Sequence, residues 1–132
     1  MEEVRISVRT HTEGETTELT VIGSVVQKED TFYFRYVEQS PEGEIQNTVK
    51  FNGQKVIVIR SGARDMRLFF TAEKHTFGSM NIGAETIPLH AYTQQILYNE
   101  TPMEKQLIFV YDLFISADLI GRFEITLTAT SL

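Results

Sequence analysis

Asn52-Gly53 joins two runs of residues with strand character, and that arrangement constrains the chain more than any other feature. The dipeptide tolerates the positive φ angles of a tight hairpin turn. Before it, Ile45, Asn47, Val49 and Phe51 share one face, and Glu44, Gln46, Thr48 and Lys50 share the other. A period of two is the mark of a half-buried strand. After the turn, KVIVIR (Lys55 to Arg60) has the β-branched composition of a buried strand. Two antiparallel strands follow. Ser61-Gly62 turns the chain again, and Met66, Leu68 and Phe70 then alternate with Arg67, Phe69 and Thr71 in a third.

The same pattern extends in both directions. Val4, Ile6 and Val8 alternate with Arg5, Ser7 and Arg9, and Glu13-Gly14 turns the chain. Thr16 to Gln27 is long and β-branched, with Gly23 placed where a closing sheet bends. Phe32, Phe34 and Tyr36 share a face, and Pro41-Glu42-Gly43 turns back. His75 to Ile82 makes another strand, with Met80 and Ile82 on its core side. Past Gly83, Ile87, Leu89 and Ala91 alternate with Pro88, His90 and Tyr92. Proline cannot donate to a ladder, so pairing is expected to be disturbed at Pro88. Tyr92, Ile96 and Leu97 also fit a helical spacing; a strand is preferred because every neighbour is one. Leu107 to Ile115 is apolar on both faces except at Asp112, and Phe123, Ile125 and Leu127 finish the pattern. The sum is about ten strands at hairpin spacing with no convincing helix, an all-β antiparallel meander closed as a barrel or stacked as a sandwich.

Three phrases carry a family likeness. RSGARDMRLFF, followed by HTFGSMNI and later VYDLFI, resembles the YwiB-like family of small bacterial proteins. The likeness is sharpest at Arg60-Ser61-Gly62 with Met66 and at Thr76-Phe77-Gly78, and it extends over nearly the whole chain in strand order and turn placement. It implies a calycin-like up-and-down β-barrel of about 8–10 strands, related in shape to the lipocalins, with residues 1–132 as one domain. It brings no activity with it. Pro88 within a strand is a departure from some relatives.

Composition removes several function classes. The chain's 132 residues fit one domain, and hydrophobic and charged shares of 42% and 23% are those of a globular fold. There is no cysteine, hence no disulfide, thiolate nucleophile or zinc–thiolate site. The opening MEEVRISVRT lacks a basic and then apolar leader, and no run approaches the roughly 20 apolar residues of a membrane span. A cytoplasmic protein without membrane association is expected. A net charge of −6 disfavours nucleic acid, and the Arg60, Arg64 and Arg67 group is interrupted by Asp65, as in a solvated turn.

No catalytic set is visible. His11, His75 and His90 are dispersed, no serine sits in G-x-S-x-G, and no glycine-rich loop has phosphate-cradle spacing. No catalytic residue, metal or cofactor is expected, and an enzyme is the third reading. Two charges in apolar company, Arg60 and Asp112, must each be paired or reach water. Arg60 is expected to meet Asp112 or Glu124 near a barrel mouth, where it could hold an anionic head group; otherwise both charges lie on the wet outer face. Phe32, Phe34, Tyr36, Phe51, Leu68, Phe70, Met80 and Phe123 all fall on inward faces. The leading expectation is a barrel that binds a small apolar or amphiphilic ligand. Arg60 would be the anchor beside Asp112, and Phe34, Tyr36, Phe70 and Met80 the walls. The alternative is a protein-interaction module or homodimer with a filled barrel, using outward Tyr33, Val37, Ile57, Ile59 and Phe69.

Overall fold

Ten antiparallel strands follow one another without a helix in a computed structural model that describes residues 1–132. They are β1 (Glu2–Thr12), β2 (Glu15–Lys28), β3 (Thr31–Ser40), β4 (Gly43–Phe51), β5 (Lys55–Gly62), β6 (Asp65–Thr71), β7 (His75–Ile82), β8 (Glu85–Glu100), β9 (Glu104–Ile115) and β10 (Asp118–Ser131). Each pairs with the next, and β1 pairs with β10 from Val4↔Ser131 to Thr12↔Phe123. This is the up-and-down barrel that the family resemblance implied, and one of the two arrangements, barrel or sandwich, that the alternation allowed. Closure removes the sheet edges that would otherwise template aggregation, except where β2 and β3 cease to pair.

The turn at Asn52-Gly53 forms as its residues require. Gly53 has φ of 96°, and the Asn52 side-chain oxygen accepts from the backbone N–H of Gln54 at 3.0 Å and of Lys55 at 2.8 Å. Strand parity then places Val56, Val58 and Arg60 inside, opposite Phe51, Val49 and Asn47.

One half of the interior is solid. Toward the end bearing the β2–β3, β4–β5 and β8–β9 turns, Val4, Ile6, Phe34, Phe51, Val56, Phe70, Leu107 and Phe109 are all buried. Ring centroids of Phe51 and Tyr98 lie 4.9 Å apart, as do those of Phe70 and Phe109. Offset, tilted aromatic pairs of this kind fill space densely.

Two features of β8 that sequence left ambiguous have simple causes. The apparent helical spacing comes from a bulge between Thr93 and Gln95, which shifts the strand's parity. Ala91 and Thr93 face inward before it, and Ile96 and Tyr98 after it. Pro88 does not break the pairing. It lies opposite Ser79, and its carbonyl accepts from Ser116 N–H at 3.0 Å, beyond the last residue of β9. Because N–H and C=O of one residue point to the same neighbour in an antiparallel strand, the missing donor falls where β9 has ended. Ile82, expected on the core side, is instead exposed at the rim.

At the bulge the Thr93 hydroxyl is buried without a hydrogen-bond partner, although the Thr93 backbone bonds to Glu73 and Lys74. An unpartnered buried hydroxyl costs stability. Thr93→Val is therefore expected to stabilise the barrel by about 1 kcal/mol, raising the calorimetric midpoint by roughly 3–4 °C. An unchanged or lower midpoint would contradict this reading.

Candidate functional site: the open half of the barrel

Gly23 decides where the barrel stops being solid. A Cβ there would run into the Arg35 carbonyl and come within 2.7 Å of Ile6 Cδ1, so only glycine allows β2 to lie this close to β3. Pairing between these strands covers only Ser24↔Arg35 to Lys28↔Thr31. Beyond Gly23, β2 continues with β1 as far as Glu15, and β3 with β4 as far as Ser40. The two strands part, leaving a seam in the wall.

Behind the seam is a cavity of about 510 Å³ lined by 19 residues, 13 of them hydrophobic. Thr17, Glu18 and Leu19 flank it on β2, and Tyr36 and Glu38 on β3. Val8, Val58, Met66, Leu68, Ile125 and Leu127 form apolar walls, and Phe70 and Phe109 form the boundary with the solid half.

One wall carries a compact polar group. Arg60 Nη2 donates to Glu38 Oε1 at 2.8 Å, and Arg60 Nε donates to Asn47 Oδ1 at 3.1 Å. Asn47 Nδ2 in turn lies 3.4 Å from Glu38 Oε1. The three sit side by side on β3, β4 and β5 because Asn47 pairs with Tyr36 on one side and Arg60 on the other. The Arg60 and Glu38 side chains are 24% and 31% exposed, so the pair is partly shielded from water yet open to the cavity. A guanidinium and a carboxylate so placed form a charge-assisted hydrogen bond.

Two phenols face the same space. Neither the Tyr36 nor the Tyr111 hydroxyl forms a hydrogen bond within the protein, and both rings line the cavity. Burial pushes Tyr36 up to about 12, with Arg60 opposing and Glu38 adding to the shift. Tyr111 is raised by burial too, again with Arg60 opposing. A raised folded-state value means the neutral phenol is favoured in the native protein. That stability is complete below the unfolded value near 10 and is lost as pH rises from there through about 12. Denaturant midpoints are expected to fall across this alkaline window in the parent protein and less steeply in Tyr36→Phe; parallel curves would contradict it.

The expected contact of Arg60 with Asp112 or Glu124 is not formed, and parity is the reason. Asp112 lies between the inward residues Tyr111 and Leu113, and Glu124 between Phe123 and Ile125, so both point outward. Asp112 instead accepts from Arg122 Nε at 2.8 Å and Nη2 at 3.3 Å, and from Gln94 Nε2 at 3.1 Å. The hydrogen bonds and charge of Arg122 hold its carboxyl below the usual value despite opposing desolvation. Among the other expected site residues, Tyr36 and Phe70 line the cavity beside Arg60. Phe34 is fully buried in the solid half. Met80 lies opposite Met66 and borders a separate rim cleft that also contains Arg60 and Arg64. Glu38 and Tyr111 complete the site and were not anticipated. Glu38 has the parity of Phe34 and Tyr36, a signal present in the sequence; Tyr111 is hidden in a strand apolar on both faces.

The family described as "Domain of unknown function (DUF1934)" matches residues 3–127. Among solved structures, the crystal structure of ywiB protein from Bacillus subtilis superposes with a TM-score of 0.86 at 21% identity, covering 99% of this chain and 92% of that one. At that identity the likeness concerns the fold. No curated protein matches. No helix is long and apolar enough to cross a membrane, and no cluster of three or more metal-ligating side chains is present.

Proposed function

Since the chain belongs to the DUF1934 family, we propose its function from the site it carries: it binds one small amphiphilic molecule in the open half of the barrel. The observation that supports this most is the pairing of an apolar cavity of about 510 Å³ with two unpartnered phenols and an Arg60–Glu38–Asn47 group on its walls. Small-molecule sites are typically concave spaces of about 300–1,000 Å³, mainly apolar, with a few convergent polar groups that orient the ligand. Here the ligand's apolar body lies against Val8, Val58, Ile125 and Leu127, and its polar end meets Arg60, Tyr36 and Tyr111. Entry is by the seam between β2 and β3.

Nile red, an uncharged dye that brightens in apolar surroundings, tests the reading. The parent protein is expected to bind it saturably, and Leu19→Trp, which puts an indole into the cavity beside the seam, to weaken binding by about tenfold. No binding by the parent, or equal binding by a folded Leu19→Trp variant, counts against an interior site.

A second reading, a homodimer, rests on the outer face. Phe77, His90, Phe114 and Leu119 lie side by side across β7 to β10, with Phe77 69% and Leu119 63% exposed. This row is not the expected one of Tyr33, Val37, Ile57, Ile59 and Phe69, in which the Tyr33 ring has Lys28, Arg35 and Lys50 at 5.5–5.6 Å. Sedimentation that found a concentration-dependent dimer, lost in Phe77→Ser, would favour this reading.

A further inference from the structure

We infer that the head group of the bound molecule is uncharged: the cavity takes a neutral amphiphile whose polar end both donates and accepts hydrogen bonds, such as a primary amide or an alcohol, in preference to a fatty acid or an alkylammonium. The inference rests on the ligand-pocket reading above and narrows it.

A lone guanidinium in an apolar cavity would call for an anionic ligand. Arg60 is not alone. Its charge is matched inside the protein by Glu38 at 2.8 Å, and Asn47 fixes the fork's orientation through Nε at 3.1 Å. The polar wall therefore sums to zero charge while keeping hydrogen-bonding capacity. The guanidinium retains N–H groups not used by Glu38 or Asn47, and Glu38 Oε2 accepts no hydrogen bond from the protein. The Tyr36 and Tyr111 hydroxyls each offer a donor and an acceptor.

Such a wall discriminates against either sign of charge. A carboxylate brought to Arg60 also comes up to the Glu38 carboxylate, and an ammonium brought to Glu38 comes up to the guanidinium. Each meets a like charge in surroundings less polar than water, where repulsion is felt strongly. The remaining carboxylate on the cavity lining, Glu18, lies at the seam and is itself paired with Arg9 at 3.6 Å, so the lining has no unpaired charge of either sign. A neutral amide avoids both penalties. Its NH₂ suits the free oxygen of Glu38, and its carbonyl suits the spare guanidinium N–H groups or a phenol.

Titration calorimetry with decanamide, decanoate and decylammonium at neutral pH tests this on the parent protein. Decanamide is expected to bind at least about tenfold more tightly than either charged analogue, a like-charge contact being the difference. Glu38→Gln removes the matching negative charge and is expected to reverse the order, so that decanoate becomes the tightest ligand. Should that variant fold poorly, Tyr111→Phe provides a second check: decanamide affinity should fall several-fold while binding of Nile red is retained. Decanoate binding as tightly as decanamide to the parent protein would overturn the inference and leave the pocket standing. Failure of all three ligands and of Nile red would overturn the pocket, and the inference with it.

Discussion

Replacing Phe70 by alanine is expected to cost about 4 kcal/mol of stability and to lower the thermal midpoint by roughly 10–15 °C. Phe70 is 1% exposed and stands where the solid half of the barrel meets the cavity. Its ring lies 4.9 Å from Phe109 and 4.5 Å from Tyr111, centroid to centroid. Removing it takes away the transfer energy of a whole aromatic side chain and the dispersion contacts on both of its faces. The β5–β6 ladder, which pairs Val56 with Phe70 and Lys55 with Thr71, holds the backbone at this point and limits its collapse into the space. Against a typical total of about 5–15 kcal/mol, such a loss leaves a protein near the edge of folding. Chemical denaturation measures it. A loss below about 2 kcal/mol would show that Phe70 is not the partition between core and cavity.

The second large effect is expected at Gly78. It lies on β7 against β6, where a Cβ would run into the Arg67 carbonyl and come within 3.0 Å of Leu68 Cα. These are backbone atoms and cannot rotate away. The same crossing is tied by the Thr76 hydroxyl, which donates to the Phe69 carbonyl where regular β6–β7 pairing has given out beyond Arg67↔Ser79. Gly78→Ala must therefore push the two strands apart, at a cost of about 3 kcal/mol. Gly14→Ala is the useful contrast: nothing lies within 4 Å of its Cβ position, and its cost comes only from φ of 79°. Denaturation midpoints of the two variants should differ clearly, with Gly78→Ala the lower. Equal midpoints would contradict the close strand approach.

Much of the barrel was legible because alternation is a local signal. Parity alone put Phe32, Phe34, Tyr36, Phe51, Leu68, Phe70, Met80 and Phe123 inside, and each is in the core, packed against it or on the cavity wall. Ambiguity arose where parity shifts within one strand. The bulge at Thr93 spaced Ile96 as a helix would, and no turn residue marks it. The seam was half legible: Gly23 was readable as a bend, but where β2 and β3 cease to pair depends on the contact with the Arg35 carbonyl.

The site shows the same limit. The sequence left Arg60 open between an interior position and the wet outer face, and its interior partner was sought in Asp112, which stands out in an apolar run, or Glu124. Both are outward by parity. The real partner, Glu38, lies in a polar stretch before the turn at Pro41, where nothing in the local pattern beyond its parity singles it out. What joins Glu38, Asn47 and Arg60 is the register of three adjacent strands. Pairing of that kind is set by tertiary structure and leaves no mark at short spacing.

The most direct test of an occupied half-open barrel is an NMR titration with decanamide, following methyl groups in both halves. The account predicts shifts and ligand contacts at Val8, Leu19, Val58, Ile125 and Leu127 around the cavity, with Val4, Val56 and Leu107 in the solid half unmoved. Shifts confined to the outer row around Phe77 and Leu119, or none within the barrel at saturating ligand, would contradict it.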